Sequence, residues 1–421
     1  ETDRDTVRKF IAMVTNGKTS IGFGHLPAYP GGTSNWNTIH MHLIGLVLAI
    51  EGEEGYDPDV YQGCVEVMRK WCYVATGPLG APFEGYNKSS DAGQHLLAIA
   101  RRGDDFLGTT WVKNAGSRYH MAVMLPWGTE HIYETQSGPG VLPRDFAPFK
   151  FAYPKDLVID LVYGNVMQNF INDDKSLSWV NTRTTYSPFF PYLIYHDDPM
   201  GIGRDGSYNF KARAGRVVKK LALDKFPTFY YSDYRGLMTS RTSWDADAAF
   251  LFFEPRNVPG GHTWDSRGDF IIASHGRSWN HRPAGTEGSS NLRSVILIDG
   301  EGQGHQCVQG RTLYLNDDDK ATIATGDSTW AYSFKAGGVN GEKVMHTPND
   351  SRLYPSKLPW MNQPWSFLPD WRHGKIGADR HGHWQKHNEI EYSYRTVVLA
   401  KSDMPYFIVR DDMKKDDKAH S

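Results

Sequence analysis

Along the first part of the chain, apolar residues recur at helical spacing. Ile39, Leu43, Leu46, Val47 and Ile50 stand at i, i+4, i+7, i+8 and i+11, and Val60, Cys64, Val67, Met68 and Trp71 repeat the same offsets. This predicts two successive helices. The connection between them, EGEEGYDPD, offers glycine as a stop and Asp-Pro just ahead of the second start. Further helical segments are predicted near Asp91 to Arg101 and Pro154 to Ile171. Polar Gly/Pro/aromatic loops such as ATGPLGAPFEGYNKS lie between them.

From about Tyr230 the period changes. GLMTSRTSW, AAFLFFEP, DFIIASHGRSW, NLRSVILIDGEG, ATIATGDSTWAYSF, IEYSYRTVVLAK and PYFIVRDD are short β-branched or aromatic runs bounded by Gly, Asp and Pro. They predict an all-β domain, a sandwich. Helices gathered ahead of strands argue for separate α and β domains rather than an alternating parallel sheet. The reading is an α+β multidomain chain, with a helical domain over residues 1–222 and a β-sandwich over 223–421. Both ends read as cut. ETDRDTVRKF begins as a helix already under way, and DDMKKDDKAHS stops just after a strong strand.

Composition narrows the function. A formal net charge of −2 gives no basic stripe for nucleic acid, while 13 Trp and 22 Tyr among 421 residues suit stacking on sugar rings or flat apolar ligands. Cys64, Cys72 and Cys307 have no C-x-x-C spacing, so neither a disulfide framework nor a cysteine zinc site is indicated. No apolar run reaches the ~18 residues of a membrane span, and the first residues are not a signal peptide.

Several stretches carry candidate chemistry. GIGRDG, Gly201 to Gly206, has the G-x-G-x-x-G spacing, but HDDPM ahead of it would set carboxylates beside a pyrophosphate. His381, His383 and His387 in RHGHWQKH have the types for a metal site, and the plain alternative is a solvated loop. EGEEGYDPD lacks the ligand alternation of a calcium loop and reads as a solvated helix connection. Asn35, Trp36, Asn37, His40 and His42 crowd a helix start in GGTSNWNTIHMH. Either Ser34 or Asn35 caps that helix, or its N-terminus and amides receive an anionic substrate group. Tyr86 stands in the glycine-bounded loop PFEGYNKS, as a packing ring or a catalytic one. His262 follows two glycines in GGHTWDSRGDF, as a hydrogen-bonded loop ring or an acid/base.

Taken in order, these features resemble the heparinase II/III-like polysaccharide lyases, which carry an α/α toroid followed by an antiparallel β-sandwich. The likeness is sharpest in SRTSWDADAAFLFFEP, GGHTWDSRGDFIIASHGRSW and SVILIDGEGQG. These are similar to the family's serine/tryptophan strand, its Gly-Gly-His loop and its strand ending in Asp-Gly-x-Gly-Gln. RTVVLAKSDMPYFIVRDDMKKDD resembles its paired late strands. The resemblance implies an incomplete α/α toroid before the sandwich, and β-elimination on an anionic uronate-containing polysaccharide, alginate- or glycosaminoglycan-like. It implies that Asn35 holds the substrate carboxylate, that Tyr86 is the principal base or acid, and that His262 reaches the same centre from the sandwich. His40 would be a second carboxylate partner, Trp36 a substrate contact, and Arg267 and Arg293 the cationic neighbours that favour a tyrosinate.

The match has departures. Trp264 stands where many members carry a second histidine, and Arg293-Ser294 where they carry His-Asn, so the family's metal site loses ligands. No cofactor is required for the elimination, and a structural zinc or calcium is left open. A periplasmic or extracellular location follows from the resemblance alone. Two other readings stand beside it. One is a non-catalytic carbohydrate-binding protein on the same scaffold, and the other a glycoside hydrolase, for which Glu84 and Asp91 are the carboxylate pair.

Overall fold

The computed structural model describes residues 2–15, 44–65, 68, 79–81, 99–100, 102–103, 109–126, 156, 158–159, 226–233, 235–255, 266–280, 290–304, 310–336, 345–346 and 383–420. Ahead of residue 226 the regular elements among them are helical. These are α1 (Thr2–Thr15), helical stretches at 44–49 and 58–65, then α2 (Thr110–Asn114), which passes through a π-helical turn (Ala115–Tyr119) into α3 (His120–Val123). The border at 222/223 and most of the expected toroid lie outside the described residues. After it come β1 (Phe229–Ser232), β2 (Leu237–Arg241), β3 (Phe250–Glu254), β4 (Asp269–Ser274), β5 (Arg277–Ser278), β6 (Arg311–Asp317) and β7 (Ala321–Asp327). A short helix, α4 (Thr329–Ser333), leads to β8 (Phe334–Ala336), β9 (Met345–His346), β10 (His383–Lys386), β11 (Tyr392–Ala400) and β12 (Tyr406–Lys414).

The strands form two main antiparallel sheets. The first is the meander β1-β2-β3-β4-β5; the second has the order β12-β11-β7-β6. Met238, Leu251 and Phe253 of the first sheet meet Ala324, Val397 and Leu399 of the second in one shared core, with Phe229, Phe270 and Phe407 at its edge. This is the face-to-face packing expected of a sandwich. Ser240 and Thr322 place their hydroxyls 2.6 Å apart within the buried layer, so neither polar group is stranded.

The sheets differ in how many faces they bury. Every residue of β2 and β3 is buried. In β12, by contrast, Tyr406 and Ile408 are exposed between half-buried neighbours, the alternation of a sheet with one face to solvent. The first sheet has the second on one side and helical chain on the other. The buried Arg241 side chain points to that other side, where it reaches the end of α3.

Local signals explain several elements. Asp57 and Pro58 open the helix at 58, the Asp57 carboxylate accepting the Asp59 N–H at 2.9 Å, as an N-cap followed by a first-turn proline does. The buried face of the preceding helix is Ile44, Val47 and Ile50, with Leu46 only half-buried. Val47 and Ile50 of the expected face are therefore buried, Leu46 only in part, and Leu43 lies outside the described residues.

Three other expectations change. VILI in NLRSVILIDGEG is not a strand. The Ser294, Ile296 and Ile298 carbonyls are taken by side chains of Arg395, Tyr332 and Asn388, leaving only an isolated bridge between Ile298 and Glu301. ATIATGDSTWAYSF is a strand only to Asp327, whose carboxylate accepts the Thr329 N–H at 2.9 Å and starts α4. Finally, His383 to Lys386 form β10, the middle strand of a small sheet between β8 and β9, not a solvated loop.

Candidate active site

The β3–β4 connection carries His262, and both stems of that connection are fixed in the sandwich. On the leading stem, Pro255 lies against two glycines of the second sheet region. A Cβ on Gly310 would fall 2.1 Å from the Pro255 carbonyl oxygen, and one on Gly326 2.9 Å from its Cβ. Only glycine allows the stem to sit so close. On the returning stem, the Arg267 N–H donates to Gln303 Oε1 at 2.7 Å and Gln303 Nε2 donates back to the Arg267 carbonyl at 2.6 Å. The two stems are joined by the Gly268 N–H, which donates to the Glu254 carbonyl at 2.9 Å; Gly268 has a φ of 81°.

Charged groups buried below this point complete the anchor. Arg395 pairs in bidentate fashion with Asp411 at 2.6 and 2.9 Å, and donates to the Gly268 carbonyl at 3.0 Å and to the Ser294 carbonyl. Its guanidinium lies 5.1 Å from the centre of the Phe270 ring. Arg235 binds Glu254 Oε1 through Nε at 3.1 Å and Nη2 at 2.8 Å, both side chains being fully buried. Fixed donors and acceptors of this kind hold the described stem residues, Pro255 and Arg267 to Asp269, within the sandwich.

The opposite face of the first sheet meets the helical chain. Arg241 Nη2 donates to the carbonyls of Met121, Ala122 and Met124 at 3.4, 3.3 and 2.6 Å, supplying a cation to the carbonyls at the C-terminal end of α3. Its guanidinium also lies 4.0 Å from the Trp244 ring centre and 5.0 Å from that of Phe250. Burial lowers the Arg241 pKa, but the group stays cationic at neutral pH. The Tyr230 hydroxyl donates to the Leu79 carbonyl at 2.9 Å, a second tie between layers. Between them lies a cavity of about 270 Å³, walled by Met121, Phe226, Tyr230, Arg241 and Trp244 with Asp156 among its polar groups. Arg241→Leu is expected to lower stability by roughly 1.5–3 kcal/mol, read as a lower urea midpoint. A midpoint equal to wild type would refute the role of this tie.

Of the side chains expected from the sequence, Asn35, Trp36, His40, Tyr86 and His262 lie outside the described residues, as do Trp264, Glu84, Asp91, His381 and Gly201 to Gly206. Arg267 lies inside the protein, 1 % exposed. Arg293 is half-buried and closes the short 3-10 turn Ser290–Leu292, its N–H donating to the Ser290 carbonyl at 3.1 Å. The Ser290 hydroxyl in turn accepts the Gln303 N–H at 2.9 Å, so Arg267 and Arg293 belong to one hydrogen-bonded cluster at the returning stem. Sequence reasoning missed the roles of Gln303, Arg395 and Arg241. The Asp-Gly-x-Gly-Gln run was the available signal for the first. Cys64 is buried, and burial raises its thiol to about 12, which makes it an inert core residue. Among the described residues, no three His, Cys, Asp or Glu side chains gather as a metal site, and no helix is long and apolar enough to cross a membrane.

The sequence matches no protein-family model and no curated protein. Solved structures do resemble the fold. The chain is similar to heparinase III with a TM-score of 0.53 and 7% identity, over 92% of this chain and 48% of that one. It is also similar to the heparan sulfate lyase HepC from Pedobacter heparinus, with a TM-score of 0.47 and 11% identity, over 90% of this chain and 45% of that one. The chain thus spans about half the length of these structures. At such identities the likeness is one of fold, and the fold is heparinase-like.

Proposed function

We propose that this chain is a polysaccharide lyase that cleaves an anionic, uronate-containing polymer by β-elimination. The observation that carries the reading is the doubly anchored connection bearing Gly260-Gly261-His262 in a sandwich of heparinase-like fold. An α/α toroid over residues 1–222 and a site between it and the sandwich belong to the same proposal.

The chemistry requires three events. The C5 carboxylate must be neutralised, the C5 proton removed, and the C4 oxygen protonated as the C4–O bond breaks and the C4=C5 double bond forms. In this reading Asn35 holds the carboxylate by hydrogen bonds that strengthen as enolate charge develops, with His40 as its second partner and Trp36 against the sugar. Tyr86 and His262 share the proton transfers, Tyr86 as the principal base or acid. A tyrosine serves as base near neutral pH only if its pKa falls from about 10, which nearby positive charge achieves. Arg267 and Arg293 would supply that charge as a field from the returning stem, since Arg267 is buried. The reaction as written needs no cofactor. A polymeric substrate places the enzyme in the periplasm or outside the cell.

The test is ultraviolet absorbance of the unsaturated product over a panel of alginate, glycosaminoglycans and ulvan. Growth of the chromophore with one polymer is the expected result. Binding without product on every polymer would replace the lyase with a carbohydrate-binding protein, and new reducing ends without the chromophore would mean hydrolysis.

A further inference from the structure

We infer that Gln303 is a positioning residue for the loop that carries His262, and that the run Asp299-Gly300-Glu301-Gly302-Gln303 is built to deliver it; the inference rests on the lyase reading. Each position of the run has a physical reason. Ile298 and Glu301 exchange backbone hydrogen bonds of 2.8 and 3.1 Å, and the two residues between them, Asp299 and Gly300, have φ of 57° and 77°. Two left-handed residues in a two-residue loop make the tight hairpin that Asp-Gly favours.

The chain leaving that hairpin lies flat on Ser290. A Cβ on Gly302 would come 2.2 Å from the Ser290 Cβ, so no side chain fits there. This close approach lets the Ser290 hydroxyl accept the Gln303 N–H at 2.9 Å, which sets where the glutamine side chain begins. Gln303 is 4 % exposed, and its amide spends one acceptor and one donor on the N–H and carbonyl of the same residue, Arg267. Arg267 follows His262 by five positions. A primary amide is the side-chain group that offers an acceptor and a donor side by side without charge. Glutamate lacks the donor, and asparagine is one methylene shorter.

The clamp therefore fixes the two peptide groups that flank Arg267, Ser266–Arg267 and Arg267–Gly268, at the stem of the connection that carries His262. Misplacing a reacting group by about 1 Å costs up to ~10²-fold in rate. Gln303 touches no reacting atom in this scheme; it acts through the backbone.

The experiment compares wild type with Gln303→Ala and Gln303→Glu in the full chain, on whichever polymer of the panel yields unsaturated product. It reads kcat, KM and amide hydrogen exchange at Arg267 and Gly268. The expected result is a kcat lower by roughly 10- to 100-fold with KM within about threefold in both variants, and faster exchange at Arg267 in Gln303→Ala while β7 and β11 keep their protection. Gln303→Glu keeps the side-chain volume and the acceptor for the Arg267 N–H, and sets an acceptor in place of the donor to the Arg267 carbonyl. It therefore carries the test should Gln303→Ala unfold. A kcat within twofold of wild type in a folded variant, a change confined to KM, or unaltered exchange at Arg267 in a folded Gln303→Ala overturns the inference. A wild-type chain that yields no unsaturated product overturns the lyase reading, and the positioning role with it. The wild-type assay separates that outcome from failure of the clamp.

Discussion

Tyr86→Phe is expected to lower kcat for unsaturated-product formation by roughly 10²- to 10⁴-fold, the range of a lost general acid or base, while polymer affinity stays near wild type. His262→Ala is expected to fall in the same range. In the proposed scheme the two side chains share the proton transfers, so the double variant should lose far less than the product of the single losses. Initial rates by absorbance, with binding measured separately on the uncleaved polymer, separate chemistry from affinity. If Tyr86→Phe keeps a tenth or more of the wild-type kcat, the tyrosine is a packing ring and the elimination scheme loses its principal base. An unchanged rate in His262→Ala would return that ring to the role of a loop hydrogen-bonder. Phenylalanine keeps the ring and removes only the hydroxyl, so a loss of rate without a loss of fold belongs to the chemistry.

The second large effect lies beneath the loop. Glu254→Ala is expected to destabilise the protein by about 3–5 kcal/mol, because it leaves the Arg235 cation fully buried without its carboxylate. The Arg235→Met, Glu254→Leu double variant should recover most of that loss, since two apolar side chains need no charge compensation. Urea unfolding curves for the three proteins decide it. A Glu254→Ala shift below about 1 kcal/mol would mean that the pair is not what holds this end of the sheet. The loop contact at this position is made by the Glu254 backbone carbonyl to the Gly268 N–H. The double variant should therefore keep its activity along with its fold, and the single variant should lose both.

Where local chemistry is strong, the sequence and the structure agree. Alternation in YSYRTVVLA and β-branched density in ATIATGD give β11 and β7, and Asp57-Pro58 opens a helix. The same logic misreads VILI at residues 295–298. Its composition is that of a strand, but the carbonyls of Ser294, Ile296 and Ile298 are taken by the side chains of Arg395, Tyr332 and Asn388, up to 101 positions away. LMTSR is a strand with three polar residues, Thr239, Ser240 and Arg241. The strand is nevertheless wholly buried, because Ser240 finds Thr322 across the sandwich and Arg241 finds α3 on the opposite side. RHGHWQKH offers its histidines as metal ligands or solvated side chains, and the pairing of His383 with His346 and of Trp384 with Ala336 makes a strand of His383–Lys386.

The candidate site divides along the same line. Gly-Gly-His and Asp-Gly-x-Gly-Gln are visible as motifs because tight turns and close backbone approaches demand glycine wherever they occur, and period and turn chemistry alone mark the strands that follow from about Tyr230. No local rule states that the glutamine of one motif grips the stem of the other 36 positions earlier, or that Pro255 rests on Gly310 and Gly326. Those partnerships follow from which sheet faces are brought together. Backbone preference acts over a few residues and can be read in order, whereas the partner of a buried polar group is whatever the completed fold sets within hydrogen-bonding distance.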